Sequence, residues 1–250
     1  MDKPHYKTGA ILEHLSSRDI VAETIFPTAS PTAFPKVYDL TSLMMPVRDQ
    51  GQQGSCVAMA VSAIKEYQEH INVALMQPLS PQFIYNMRVN RPTEGMQSSD
   101  AMDILLEFGI CSEYQYPYGT QGEVPTDCVK SAGNFKIKSH GVVTSVDGLK
   151  TALMKQGPCY IDFHCWNYSD KFWHKNPGDV SLGGHAVAIV GWNDAGFILR
   201  NSWGSGWGNG GYTTYPYGEF GMHSIIRTCL DDDSSKPIPQ PPPQGCCSIV

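Results

Sequence analysis

RDQGQQGSCVAMA, residues 48–60, joins a glycine-flexed loop to an apolar run at helical spacing, with one cysteine at the junction. From Val57 the apolar residues Val57, Ala60, Val61, Ile64 and Ile71 recur at three- and four-residue steps, with Lys65, Glu66, Gln68 and Glu69 between them. That pattern predicts a long amphipathic helix opening at Ser55 or Cys56. A thiol there sits where unpaired backbone N–H groups and the helix dipole favour negative charge, so the thiolate is accessible. To cleave an amide it also needs an imidazole to move protons, a polar group to orient that imidazole, and donors for the tetrahedral oxyanion.

The sequence offers one candidate for each need. His185 lies in SLGGHAVAIVGW (181–192), where two glycines lead into an apolar strand and place the imidazole at the strand's beginning. Asn201 lies in FILRNSWGSGWGNGGY (197–212), at the end of the next predicted strand, where its amide can accept from the ring. Gln50, six residues before Cys56, can fold back so that its amide NH₂ joins the Cys56 backbone N–H as an oxyanion donor.

These three ordered motifs resemble the papain-like cysteine proteases, over about residues 39–227. PVRDQGQQGSC (46–56) is similar to the family's active-site loop, GGHAVAIVGW (183–192) to its histidine strand, and NSWGSGWGNGGY (201–212) to its asparagine motif. His185 and Asn201 fall 129 and 145 residues after Cys56, matching the papain-type spacing of about 130 to 150. The resemblance implies Cys56 as nucleophile, His185 as acid and base, Asn201 as orienting group and Gln50 as oxyanion donor. It further implies that Trp203 shields the His185–Asn201 hydrogen bond and that Trp207 flanks the leaving-group side. The implied fold is α+β and two-lobed: a helical left lobe, a β-barrel-like right lobe, and the active-site cleft between them. The implied reaction is endopeptidase cleavage of a polypeptide substrate, without a cofactor or metal, by a monomer open to a protein inhibitor.

The chain departs from the family at several points. Gln53 stands where the family has a cysteine, and Val57 where it has an aromatic residue. Cys128 aligns with a family half-cystine whose partner position falls near Met87, so the family's disulfides are not expected here. The family's substrate-lining glycine pair corresponds to Gly95-Met96; Gly95 is expected to pair its backbone with an extended peptide, beside Gly184 before the histidine. Met96, Gln97 and Ser98 then reshape the neighbouring pockets, and subsite preference is not readable from the sequence. Transglutaminase-like acyl transfer is the alternative with the same nucleophile, but it uses Cys-His-Asp; a non-catalytic module on the same fold is the other.

Around this core the chain divides into residues 1–36, a catalytic domain at 37–230 (helical lobe about 45–135, β lobe about 136–230) and a tail at 231–250. FPTASPTAFP (26–35) reads as extended linker. The segment before it is an appendage that can reach back across the cleft and inhibit. Helices are expected at SPQFIYNM, with Ser80 as N-cap, at AMDILLEF opened by Ser99-Asp100, and at DGLKTALMKQ; strands at CYIDFHCW, HAVAIVGW, GFILRN and SIIRTC. The proline-dominated tail cannot bury enough surface to fold alone.

With 250 residues, 41% of them hydrophobic, the chain can build a packed core, and its net charge of −6 with scattered Lys and Arg excludes a phosphate-tracking face and nucleic acid as a partner. Eight irregularly spaced cysteines read as reduced thiols, mostly small core residues, and His164-Cys165 with Cys159 as strand packing rather than a zinc site. The N-terminus lacks an apolar signal core, so a cytoplasmic location is expected. Cys247, in the final CSIV, is a candidate for lipidation and membrane attachment, against which Ser248 is not aliphatic and no polybasic run precedes it.

Overall fold

The N-terminus of the helix that opens at Cys56 is where two layers of structure meet. The computed structural model describes residues 6–25 and 34–231; most of the linker, the tail and Cys247 lie outside the described residues. In chain order the elements are β1 (Ala10–Ile11), α1 (Ala22–Ile25), β2 (Tyr38–Asp39), α2 (Cys56–Val73), α3 (Pro81–Met87), β3 (Met96–Gln97), α4 (Ser98–Glu107) and α5 (Thr126–Ala132). There follow β4 (Ile137–Val142), α6 (Val146–Gln156), β5 (Cys159–Cys165), β6 (Gly183–Trp192), β7 (Gly196–Arg200), β8 (Tyr212–Pro216) and β9 (His223–Asp231). Helices thus dominate the first half and strands the second, the two-lobed α+β arrangement expected.

Local chemistry explains most of the helix ends. Ser80 caps α3 by accepting from the Phe83 N–H at 3.0 Å, with Pro81 at the first helical position, and Ser145 caps α6 by accepting from Gly148 N–H at 3.0 Å. α4 begins at Ser98, a residue earlier than its Ser-Asp signal, and α2 begins at Cys56. Ser55 does not cap α2 with its hydroxyl, which bonds Tyr118 Oη at 2.6 Å instead. The two-residue strands β1, β2 and β3 and the four-residue α1 had no sequence signal, nor did β4, β8 and α5 (TDCVKSA), which are short and weakly periodic.

The sheet runs β3-β1-β6-β5-β9-β4, with β2 and β7 also on β6 and β8 on β7. Its centre is β6, antiparallel to β5 over 159–165 and 183–189, buried on both faces and packed against α2. The expectation of an amphipathic α2 needs revising, because its polar stripe is buried too. Lys65, Glu66, Gln68 and Glu69 are all closed from solvent. Two packed layers cover this helix, so its charges are paired rather than solvated. Lys65 Nζ lies 2.5 Å from both Glu69 Oε1 and Asp231 Oδ1, and Glu66 accepts from Leu79 N–H at 2.8 Å and from Arg48.

The extension is more than an appendage. β1 bonds parallel to β3 and antiparallel to β6, bridging the lobes. Val21 bridges to Val142, and Glu23 accepts from the Thr144 N–H at 3.0 Å.

Replacing Lys65 with methionine would remove the cation that Glu69 and Asp231 share, leaving Asp231 its bond from Asn72. The expected loss of stability is about 3–5 kcal/mol, read as a lower midpoint in urea unfolding; an unchanged midpoint would mean that the carboxylates find other partners.

Candidate active site

Cys56 is the first residue of α2, and the backbone N–H groups of Ala186 on β6, of Val57 and of Gly9 lie near enough to its sulfur to favour the thiolate. Ala186 is the neighbour of His185, so α2 packing on β6 brings the thiol and the imidazole strand together. His185 Nε2 lies 2.8 Å from Asn201 Oδ1, and that oxygen also accepts from Ser202 N–H at 2.7 Å. The amide is therefore oriented oxygen first, and Nε2 must donate to it. In the neutral ring Nδ1 is then the basic nitrogen, and it has no hydrogen-bond partner among the described residues.

Aromatic rings cover this pair. Trp203 stacks on His185 with centroids 4.1 Å apart and planes 21° apart, while Phe172 meets the imidazole edge-on at 5.2 Å. Trp207 packs edge-on against Trp203 at 5.5 Å, its indole N–H donating to Tyr168 O at 2.9 Å. Gln50 is fixed from both ends: Ser202 Oγ donates to its Oε1 at 2.7 Å, and its Nε2 donates to Gln53 O at 2.9 Å and to Lys7 O at 3.0 Å. Ser202 is thus a supporting residue that sequence reasoning missed, though it adjoins Asn201; Phe172 had no signal, being one aromatic in an irregular loop.

The Lys7 contact belongs to a longer track, because residues 6–13 cross the cleft. Tyr6 stacks on Trp203 (centroids 5.0 Å, planes 5°), Thr8 donates to Leu182 O, and Gly9 donates to Gly184 O at 3.0 Å and accepts from Met96 N–H at 3.0 Å. Ala10 then pairs with Met96 and Gly184. The backbone pairing expected of Gly95 falls to Met96, since the Gly95 N–H is taken by Tyr85 Oη at 3.2 Å and its carbonyl by Asn90 at 3.0 Å. Glycine is required where the track is narrowest: a Cβ on Gly9 would stand 2.0 Å from Gly54 O, and one on Gly184 2.2 Å from Ala10 O.

This cover reverses the expected electrostatics. Burial pushes the Cys56 thiol up to about 11 despite the N–H groups around it, and burial lowers His185 to about 4 despite its bond to Asn201. Both groups are neutral with the segment in place, whereas an open helix N-terminus would favour the thiolate. Among the described residues no group of His, Cys, Asp and Glu could hold a metal ion, and six cysteines, Cys56, Cys111, Cys128, Cys159, Cys165 and Cys229, are free.

Residues 34–229 match the model of the papain family cysteine proteases. The chain belongs to that family. Among curated relatives, gamete and mating-type specific protein A of Dictyostelium discoideum is 31% identical over 185 residues, covering 70% of this chain and 41% of its own length. Cathepsin K of Gallus gallus is 31% identical, covering 67% of this chain and 54% of its own; the chain spans about half the length of these relatives. Among solved structures, xylellain, a cysteine protease from Xylella fastidiosa, superposes with a TM-score of 0.78 at 26% identity, covering 92% of this chain and 99% of that one. The papain-like motifs read from the sequence therefore sit in a papain-like fold.

A methyl group at Gly9 has no room beside Gly54. Gly9→Ala is expected to lift the segment and raise the alkylation rate of Cys56 by at least about tenfold, equivalent to about 1.4 kcal/mol of docking. Iodoacetamide labelling read by intact mass checks this; an unchanged rate would show that residues 6–13 do not control access to the thiol.

Proposed function

We propose that this chain is a cysteine endopeptidase held latent by its own residues 6–25. The observation that carries the reading is the constellation of Cys56 at a helix N-terminus beside the strand of His185, with His185 oriented by Asn201 under Trp203 and the Gln50 amide fixed by Ser202. Once the cleft is open, Nδ1 of His185 takes the proton of Cys56, and the thiolate attacks the scissile carbonyl carbon, forming the S–C bond. Gln50 Nε2 and the Cys56 backbone N–H hold the resulting oxyanion. The imidazolium then protonates the leaving amine, the C–N bond breaks, and a thioester remains. Water, deprotonated by His185, attacks that thioester and returns the thiol.

Latency has a specific support. The docked segment pairs through Gly9 and Ala10 with Gly184 and Met96, filling the strip of backbone that an extended substrate would use. The Lys7 carbonyl meanwhile occupies the Gln50 amide that an oxyanion would need. The orienting asparagine favours this reading over transglutaminase-type transfer, which uses Cys-His-Asp, and the presence of nucleophile, base and oxyanion donor favours it over a non-catalytic module.

Intact-mass labelling with an epoxide inactivator is the direct test. The expected result is one adduct after proteolytic removal of residues 1–36 from the folded chain, slower labelling of the full chain, and none on Cys56→Ala. Turnover of a peptide mixture should fall at least 10³-fold in Cys56→Ala and His185→Ala. Labelling of the opened chain without Cys56 would overturn the reading.

Acid should loosen the segment. Glu13 is half buried, which raises its pKa, but hydrogen bonds from Ser98 and Ser99 and the charge of Arg227 outweigh this and hold it below the usual range. Asp19 is likewise lowered, its desolvation outweighed by Arg227 and by Ser16. For depressed carboxylates the docking contribution is complete above the undocked pKa of about 4 and is lost as pH falls through the docked values. Hydrogen exchange of residues 7–12 should therefore lose protection below about pH 4, and a Glu13→Gln, Asp19→Asn variant should show weakened protection at pH 7. Equal protection of variant and parent at pH 7 would contradict this.

A further inference from the structure

Arg227 stands on β9, its side chain 2% exposed, and takes no part in the thiol chemistry. Its guanidinium is directed at three groups: Nε donates to Ser98 Oγ at 2.8 Å, Nη1 donates to Asp19 Oδ1 at 2.7 Å, and Nη2 lies 3.6 Å from Glu13 Oε1. Glu13 is further held by Ser98 Oγ at 2.6 Å, by the Ser99 N–H at 2.9 Å and by the Ser99 hydroxyl. The cation and the serines belong to the body of the protein. Both carboxylates belong to the segment that must leave before any substrate enters.

The position of this cluster ties it to the cleft. Ser98 and Ser99 directly follow Met96 and Gln97, whose backbone pairs with Ala10 and Ile11. A peptide lying on Met96 therefore extends its chain toward Arg227. Gly9 faces Cys56, and Glu13 is four residues farther, about 13 Å of extended chain. Trp203, stacked with Tyr6, marks the opposite, leaving-group end. A cavity of about 780 Å³ adjoins the cluster and is lined in part by Gln97, Ser99, Lys138, His140 and Arg227.

Opening the cleft would strip Arg227 of both acidic partners and leave its guanidinium facing the groove that the segment vacates. The neighbouring acid, Asp162, makes no hydrogen bond or ion pair with Arg227 among the described residues and is instead bonded by Tyr160 and the Ile225 N–H. Asp103, at the cavity edge, is paired with His140 at 2.9 Å.

We propose that Arg227, Ser98 and Ser99 form a subsite for an acidic side chain of the peptide substrate, three to five residues to the amino side of the bond cut, which Glu13 fills while the segment is docked. This rests on the peptidase reading of Cys56 and His185. A carboxylate there restores the charge-assisted hydrogen bonds that the departing segment removes. The substrate class is therefore an acidic peptide, despite the chain's own net negative charge.

The test uses the full chain carrying a specific protease recognition sequence between Ala29 and Ser30, folded first and then cut. Octapeptides differing only by Glu or Gln at the third, fourth or fifth position before the cleaved bond are compared by kcat/KM. The Glu form is expected to be favoured roughly tenfold at one of these positions. That ratio should fall to near one in Arg227→Met and decrease in Ser99→Ala, which also serves if the arginine variant does not fold. A parent ratio within twofold of one at all three positions, or a ratio unchanged in the variants, overturns the subsite. If the cut protein hydrolyses no peptide, the peptidase reading fails. The subsite is then judged by binding of labelled YKTGAILEHLSSRDI (residues 6–20) against its Glu13→Gln form, with equal affinities overturning it and a tenfold difference that Arg227→Met abolishes supporting it.

Discussion

Water at the N-terminus of one helix governs the behaviour of this protein. Cys56 heads α2, where exposed backbone N–H groups stabilise a thiolate. In the closed form the nearby N–H groups of Ala186, Val57 and Gly9 still favour the thiolate, yet desolvation outweighs them and the thiol is held protonated. His185 experiences the same pressure with opposite sign and is held neutral. Burial beneath Trp203, Phe172 and the segment keeps both groups away from the ion pair that nucleophilic attack requires. On the proposed reading, latency and reactivity are two hydration states of one geometry.

That geometry is rigid because its supports are shared. Ser202 fixes the Gln50 amide through its hydroxyl and the Asn201 amide through its backbone N–H, so one residue aligns both the oxyanion donor and the imidazole. Trp203 stacks on the imidazole and, in the closed form, on Tyr6. The surface that excludes water from the His185–Asn201 bond is also the platform on which the segment rests. On the proposed reading, release of the segment would uncover the site without rebuilding it.

At the other end of the cleft the segment is held by charge. Arg227 bonds Asp19 and faces Glu13, and the Ser98 and Ser99 groups complete a cradle around Glu13. Apolar and backbone contacts near Cys56 respond little to pH, whereas these carboxylates respond strongly. The two ends give the cover a mainly backbone grip at the thiol, beside the Lys7–Glu94 ion pair, and a carboxylate grip near β9.

Local order in the sequence determined much of the site. Cys56, His185 and Asn201 lie in motifs whose glycines, caps and apolar periods are readable one segment at a time, and α2, α3, α4, α6 and the main strands follow from the same short-range signals. The helix-first, strand-second order determined the two-lobed fold. Tertiary structure alone decided what covers these elements. The polar stripe of α2 reads as solvent-facing until Arg48, Leu79 and Asp231 arrive from distant parts of the chain to pair it. Arg227 and Glu13 are more than 200 residues apart in sequence, and neither carries a local signal. The raised thiol and lowered imidazole depend on desolvation, which is a property of packing and has no one-dimensional pattern.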